Sequence, residues 1–192
     1  MAEAMTYPRI LNRKNTVLSP WLTLLEKEVQ FHPDAAPEVY HSVTQSDYVA
    51  VFAVTAVGRI PLVRQYRPAV EAFTWEFPAG TVDPGETPAT AAERELREET
   101  GLRAERLDPI GDYFPDTGRL SLLSSGYFAR CAEAAPVESP EVAIELRYVT
   151  LEELFEMVKT GEFRHQMHIA LIGSALVRGH VRLPDRGIIG DP

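Results

Sequence analysis

Residues 47–56, DYVAVFAVTA, form an apolar run rich in β-branched side chains and of strand rather than helix length. A strand without polar alternation has both faces covered, so this run is expected to lie at the centre of a sheet. Val57-Gly58-Arg59 reads as a tight turn and residues 60–66, IPLVRQY, as the hairpin partner, with Pro61 early enough to be tolerated. Upstream, from about residue 16 to 43, short strands are separated by His32-Pro33-Asp34 and by the Ala-Ala-Pro group ending at Pro37. Downstream, strand-like segments fall near residues 110–114, 120–131 and 142–149. Thr150 and Glu153 make a capping box for a helix carrying Leu151, Leu154, Phe155 and Val158 and ended by Gly161. An apolar helix is expected over residues 166–177. Strands with a few helices between them predict an α/β fold. It is a mixed β-sheet sandwiched between helices, preceded by a small antiparallel strand module. The expected division is 1–45 for that module, 46–180 for the main domain and 181–192 for a tail.

Charge narrows the partners. The 192 residues carry a net charge of −9, so the surface as a whole repels nucleic acid, and an anionic ligand needs cations supplied locally. The single Cys131 excludes an intramolecular disulfide and points to a reducing compartment. It ends an apolar strand and reads as buried and inert. No signal-peptide pattern and no apolar stretch of membrane-spanning length is visible, so the expectation is a cytoplasmic protein without a membrane partner.

Residues 67–85 contain Pro68, Pro78, Gly80, Pro84 and Gly85 and read as one long loop, a length that usually signals function. A helix with clear punctuation follows: Thr87 as N-cap, Pro88 at its first position and Gly101 just beyond its end. At about 3.6 residues per turn, Ala89, Ala92 and Leu96 share one side and Glu95, Glu98 and Glu99 another. Like charges at these spacings destabilise a helix by about 0.2–0.5 kcal/mol per pair. Two readings fit the helix alone. The glutamates form a solvated face paired with Arg94 and Arg97, or they form an oxygen-ligand site for a hard divalent cation.

The preceding loop decides between them. Gly80-Thr81-Val82-Asp83-Pro84-Gly85-Glu86, seven further residues, and then Arg94-Glu95-Leu96-Arg97-Glu98-Glu99-Thr100-Gly101-Leu102 resemble the Nudix box. That box is a glycine, five residues, a glutamate, seven residues and R-E-U-x-E-E-x-G-U, where U is apolar; every fixed position matches. The resemblance implies the Nudix fold and metal-dependent hydrolysis of a nucleoside diphosphate linked to another moiety. Glu95, Glu98 and Glu99 are then implied as catalytic metal ligands for Mg²⁺ or Mn²⁺, together with the backbone of Ala79. Gly80, Glu86, Arg94 and Gly101 are implied to build the box, Glu86 and Arg94 through a salt bridge. Residues 63–68 (VRQYRP) and 75–80 (WEFPAG) are similar to segments preceding the box in ADP-ribose and ADP-sugar pyrophosphatases. The strands of about residues 17–43 resemble the module with which those enzymes form homodimers. A nucleotide-sugar substrate, ADP-ribose first, and a homodimer are therefore expected.

Within that resemblance Arg67 is implied to contact a substrate phosphate, with a surface arginine in a hairpin turn as the alternative. Glu76 is a substrate-site candidate that could equally satisfy backbone donors. Trp21 and Trp75 are candidates for stacking on a base or for packing. Arg119 is a candidate for the terminal sugar or phosphate, or a surface residue at a strand end. Phe114-Pro115-Asp116-Thr117-Gly118 departs from the proline-containing turn of ADP-ribose-selective members, because the Ser-Pro element is absent. GDP-mannose, several nucleoside diphosphate sugars or a dinucleoside polyphosphate thus remain alternative substrates. His165 and His168 are three apart, with no third metal ligand in view, and read as helix-surface or capping residues.

The resemblance also implies an assisting acidic residue, as base or metal ligand, from the stretch holding Glu133, Glu138, Glu141 and Glu145, with Glu141 favoured and Glu138 second. Alanine substitutions at Glu141 and Glu138 are expected to give different kcat values. Equal, near-wild-type rates in the two purified variants would remove both from the mechanism.

Overall fold

The computed structural model describes residues 7–132 and 144–183, which divide into two compact units. The first unit holds β1 (Arg9–Ser19), β2 (Leu22–Gln30) and β3 (Glu38–Thr44), an antiparallel sheet in the order β1-β2-β3. β1 starts earlier than the sequence pattern suggests. Its segment, RILNRKNTVLS, is exposed along almost its whole length, so no apolar alternation marks it. Residues 114–123 group with this sheet. Leu120 forms a parallel bridge with Val43, the Val43 amide donates to the Arg119 carbonyl, and the Ser121 amide donates to the Val43 carbonyl.

The second unit contains β4 (Tyr48–Thr55), β5 (Ile60–Arg67), β6 (Ala72–Glu76) and β7 (Ala79–Thr81), followed by α1 (Pro88–Thr100). Then come β8 (Ala104–Tyr113), β9 (Ser124–Cys131), β10 (Glu145–Val149), α2 (Leu151–Thr160) and α3 (Gln166–Val177). One sheet has the order β7-β4-β9-β8 and is mixed, β4 running parallel to β9 and antiparallel to β7. The other has the order β10-β5-β6 and is antiparallel throughout. The α/β class with an antiparallel N-terminal sheet is as expected.

β4 shows why residues 47–56 lack alternation. Its period of two sends Ala50 and Phe52 into a core with Phe77, Phe128 and residues of α2 and α3. The intervening Val49, Val51 and Ala53 enter a second core with Ala91, Ala92 and Leu96 of α1. Both faces are covered, so both sets are apolar. The helix stripe is Ala91-Ala92-Leu96 rather than Ala89-Ala92-Leu96, and Ala89 is exposed.

The expected long loop of residues 67–85 contains two strands. Residues 72–76 pair with β5, and residues 79–81 pair with β4. Turn residues on either side hide them, because each strand is short and owes its existence to a partner elsewhere in the chain. The caps follow the sequence closely. Thr87 accepts from the Thr90 amide, Gly101 adopts φ 72°, and the reciprocal Thr150–Glu153 box opens α2.

Phe52 is fully buried, stacked on Phe77 at 4.7 Å between ring centroids and edge-on to Phe128 at 5.6 Å. Phe52→Ala is expected to destabilise the protein by about 3–5 kcal/mol, and Thr87→Ala by about 1 kcal/mol, in urea denaturation. A Phe52→Ala loss no larger than that of Thr87→Ala would show that the core under α2 and α3 does not depend on the Phe52 ring.

Candidate active site

The site is built where α1 faces the strand-and-turn segment of residues 75–86. Arg94, on the first half of the helix, is its organising cation. Its Nε and Nη2 donate to Glu86 at 3.1 and 2.9 Å, and Nη2 also donates to the Thr81 carbonyl at 2.9 Å. Its Nη1 donates to Glu95 at 2.7 Å and to Glu98 at 3.3 Å. These charge-assisted bonds set one cation against three carboxylates and so offset the like-charge repulsion along the helix, about 0.2–0.5 kcal/mol per pair. The share of Glu98 is discounted, because 44% of its side chain faces solvent. Hydrogen bonding to Arg94 holds the Glu86 carboxyl below the usual range.

Gly80 makes room for a carboxylate from the helix. A Cβ at this position would lie 2.0 Å from Glu95 Oε1, so only glycine leaves room for that carboxylate against the strand. One residue earlier, the Ala79 amide donates to Glu99 Oε2 at 2.9 Å, while Gln65 Nε2 reaches Glu99 Oε1 at 3.4 Å. Glu99 is buried, 5% exposed. Burial pushes its carboxyl up to about 8, against the lowering effect of the Ala79 amide and with a further raise from Glu95. A desolvated carboxylate, a second one seated on a glycine and a third at the rim make an oxygen-rich donor set. Such a set fits a hard divalent cation.

Beside it lies a second ion pair. Arg67 grips Glu76 with both edges of a fork, Nε to Oε1 at 2.9 Å and Nη2 to Oε2 at 2.6 Å, and the Thr74 hydroxyl donates to the same carboxylate. Glu76 is fully buried, and burial alone would raise its carboxyl; the Arg67 and Thr74 hydrogen bonds hold it below the usual range. Arg67 keeps 35% of its side chain exposed while held in this way. Tyr48, the first residue of β4, is not among the residues the sequence singles out. Burial, followed by the charge of Glu76, pushes its hydroxyl pKa up. Only its place at the edge of the buried run hints at it.

The other candidates are distributed as follows. Trp75 is buried, with the Arg64 and Arg147 guanidiniums 6.0 and 5.9 Å from its ring centroid, which answers to the packing alternative. Trp21 sits in the turn between β1 and β2 of the first unit, 78% exposed. Arg119 belongs to that unit as well and donates to the His41 carbonyl at 3.3 Å. Asp116 caps the turn after Pro115 by accepting from the Gly118 and Arg119 amides. Glu133, Glu138 and Glu141 lie outside the described residues, and Glu145 pairs with Arg64 at 2.8 Å. His165 and His168 are not surface residues. His168 is fully buried, and His165 stands at the N-cap of α3 without a side-chain capping bond. Cys131 is buried and its thiol is pushed up to about 11 by burial. Among the described residues no helix is long and apolar enough to cross a membrane.

Residues 44–170 match the NUDIX domain family. The ADP-ribose pyrophosphatase of Bacillus subtilis is 35% identical over 118 residues, which cover 59% of this chain and 63% of that protein. The chain thus spans a little under two thirds of that relative. A CMP-5'-(N-acetyl-N-hydroxy-3-aminopropyl)phosphonate hydrolase of Streptomyces rubellomurinus is 30% identical over 145 residues, 74% of this chain and 69% of that one. A crystal structure of an ADP compounds hydrolase superimposes with a TM-score of 0.74 at 23% identity, covering 95% of this chain and 100% of the other, a likeness of fold.

The Glu99 shift has a defined sign. Its folded value lies above its unfolded one, so the folded protein without metal binds more protons than the unfolded chain. The associated stabilisation is complete in acid and is lost as pH rises from the ordinary carboxylate range through about 8. Metal-free wild type is expected to lose melting temperature over that window relative to Glu99→Gln, which has no carboxyl to titrate. Parallel melting curves for the two proteins across the window would contradict the assignment.

Proposed function

The chain belongs to the NUDIX family, and from that premise we propose that it hydrolyses the pyrophosphate bond of a nucleoside diphosphate sugar. ADP-ribose is the leading substrate, with AMP and ribose 5-phosphate as products. The observation that carries this reading is the convergence of Glu95 on Gly80 and of buried Glu99 on the Ala79 amide. In the proposal Glu95, Glu98 and Glu99, with the backbone of Ala79, hold Mg²⁺, or Mn²⁺ in its place. When bound, such a cation supplies charge neutralisation at the phosphoryl oxygens and activation of the attacking water.

The chain's own residues do the rest. Arg94 keeps the glutamates in register with the loop, so little reorganisation is needed when substrate arrives. Arg67, held from behind by Glu76, offers its exposed part to a substrate phosphate. Glu141, with Glu138 as the alternative, assists as base or further ligand. Water adds across the bridging P–O–P bond, one phosphorus gaining its oxygen and the other phosphate leaving with the bridging oxygen. The names of the Bacillus subtilis relative and of the ADP-sugar pyrophosphatase of Mus musculus support the substrate class, the latter being 52% identical over 44 residues. The module of residues 1–45 is assigned to homodimer formation, the domain of residues 46–180 to catalysis, and the setting to the cytoplasm.

The test is a product assay by mass spectrometry, with and without Mg²⁺, over ADP-ribose, ADP-glucose, GDP-mannose, UDP-glucose and ATP. Metal-dependent AMP and ribose 5-phosphate well ahead of other products are expected. Glu99→Gln should stay folded and lose turnover by orders of magnitude, and alanine at Arg67, Trp21 or Arg119 should raise KM. Faster cleavage of GDP-mannose would move the substrate and keep the chemistry. Near-normal turnover in folded Glu99→Gln would remove that glutamate from the metal site.

A further inference from the structure

Two residues carry the chain from one sheet to the other beneath the site. Glu76 is the last residue of β6, paired with β5, and Ala79 the first of β7, paired with β4. Between them Pro78 has no amide to donate, and its carbonyl accepts from Val51 at 2.9 Å. The Phe77 amide lies between the two ladders and goes to a side chain from far along the chain. It donates to His168 Nδ1 at 3.0 Å, across 91 positions of sequence. This switch is flanked by two residues that position charged groups of the site, Glu76 holding Arg67 and Ala79 holding Glu99.

His168 is fully buried on α3, and its ring stacks on those of Phe77 and His165. An apolar residue would fill that space without bringing a polar ring into the core, and His168 Nε2 has no hydrogen-bond partner among the described residues. The imidazole is therefore poorly explained as filling alone; its one partnered nitrogen is the one on Phe77. Burial holds it neutral, with its pKa well below the ordinary histidine range, so the acceptor persists at physiological pH.

Glu76, His165 and His168 also offer ligand atoms within 4.8 Å of one another, a spacing a metal ion accepts. The hydrogen bonding argues against one. Because Nδ1 accepts an amide proton, Nε2 of the neutral ring carries the proton and is a donor, the reverse of a ligating histidine, which donates from its other nitrogen. Both Glu76 oxygens already accept from the Arg67 cation.

We propose that His168 is a positioning residue for the hydrolytic site. By holding the Phe77 amide it sets the switch between β6 and β7, and so places the Ala79 amide on Glu99 and Glu76 beneath Arg67. Its effect on turnover rests on the hydrolase reading above; its effect on the metal site and on the Phe77 amide does not.

Asparagine and glutamine separate the claim from simple packing. Three variants are compared: His168→Asn, whose amide oxygen can stand near the Nδ1 position, His168→Gln, whose amide lies farther out, and His168→Leu. Three quantities are read on folded protein, with the folded fraction set by thermal melting: Phe77 amide exchange by NMR, Mn²⁺ affinity by electron paramagnetic resonance, and kcat and KM separately. His168→Leu and His168→Gln are expected to expose the Phe77 amide and to weaken Mn²⁺ binding and kcat by about 10–100-fold, with smaller changes in KM. His168→Asn should return all three towards wild type. If His168→Leu does not fold, the comparison of His168→Asn with His168→Gln decides alone, and equal behaviour of those two overturns the proposal. So does a loss of melting temperature with unchanged Mn²⁺ affinity and kcat, the mark of a purely structural histidine. Zinc binding lost in His168→Leu but kept in Glu99→Gln would overturn it in favour of the metal cluster. Should wild type cleave no nucleotide sugar, the hydrolase reading fails, and the exchange and Mn²⁺ measurements still decide this one.

Discussion

Five hydrogen bonds from one guanidinium join the two halves of the site. Arg94 reaches back to Glu86 and the Thr81 carbonyl on the loop side, and sideways to Glu95 and Glu98 on its own helix. Without that cation, Glu86, Glu95 and Glu98 would lose the counter-charge they share, Arg97 standing 3.9 Å from Glu98 alone, and the loop side would lose its charge-assisted tie to the helix. The planar fork matters as much as the charge. A lysine offers three donors on a flexible stem and cannot span a carboxylate, a carbonyl and two more carboxylates from one rigid plane.

That arrangement needs a firm floor, which β4 provides. Its alternating side chains feed two separate cores, one under α1 and one under α2 and α3. The glutamate helix and the histidine helix are consequently packed against opposite faces of the same strand. β7 pairs with β4 directly, so Ala79 and Gly80 are anchored to a strand buried on both faces. A chain so held can keep Glu99 desolvated and within reach of the Ala79 amide, a state an exposed loop would not sustain.

Much of this is legible in the residues. The extent of α1, both its caps, the capping box of α2 and the extent of α3 all follow from signals acting over one turn. The match of residues 80–102 to the Nudix box carries the metal-ligand reading; helix geometry adds that positions i, i+3 and i+4 share an edge. By contrast, β1 has no buried face to mark it, and β6 and β7 are hidden among prolines and glycines. The sequence reads His165 and His168 as surface or capping residues; His165 does take the N-cap position of α3, while His168 is buried, because the wheel of an almost uniformly apolar helix does not say which side is covered.

The sequence by itself determined the elements whose cause is local: the capped helices, the doubly buried strand and the order of glutamates along one helix edge. Only the tertiary structure decided which distant groups meet. The Arg67–Glu76 fork, the Ala79 amide on Glu99 and the His168–Phe77 bond join residues 9, 20 and 91 positions apart. The pairing of Leu120 with Val43 is of the same kind. Backbone preference and hydrophobic period decay within a turn or a strand, whereas these contacts exist because buried polar groups must find partners, and packing determines which partners are near.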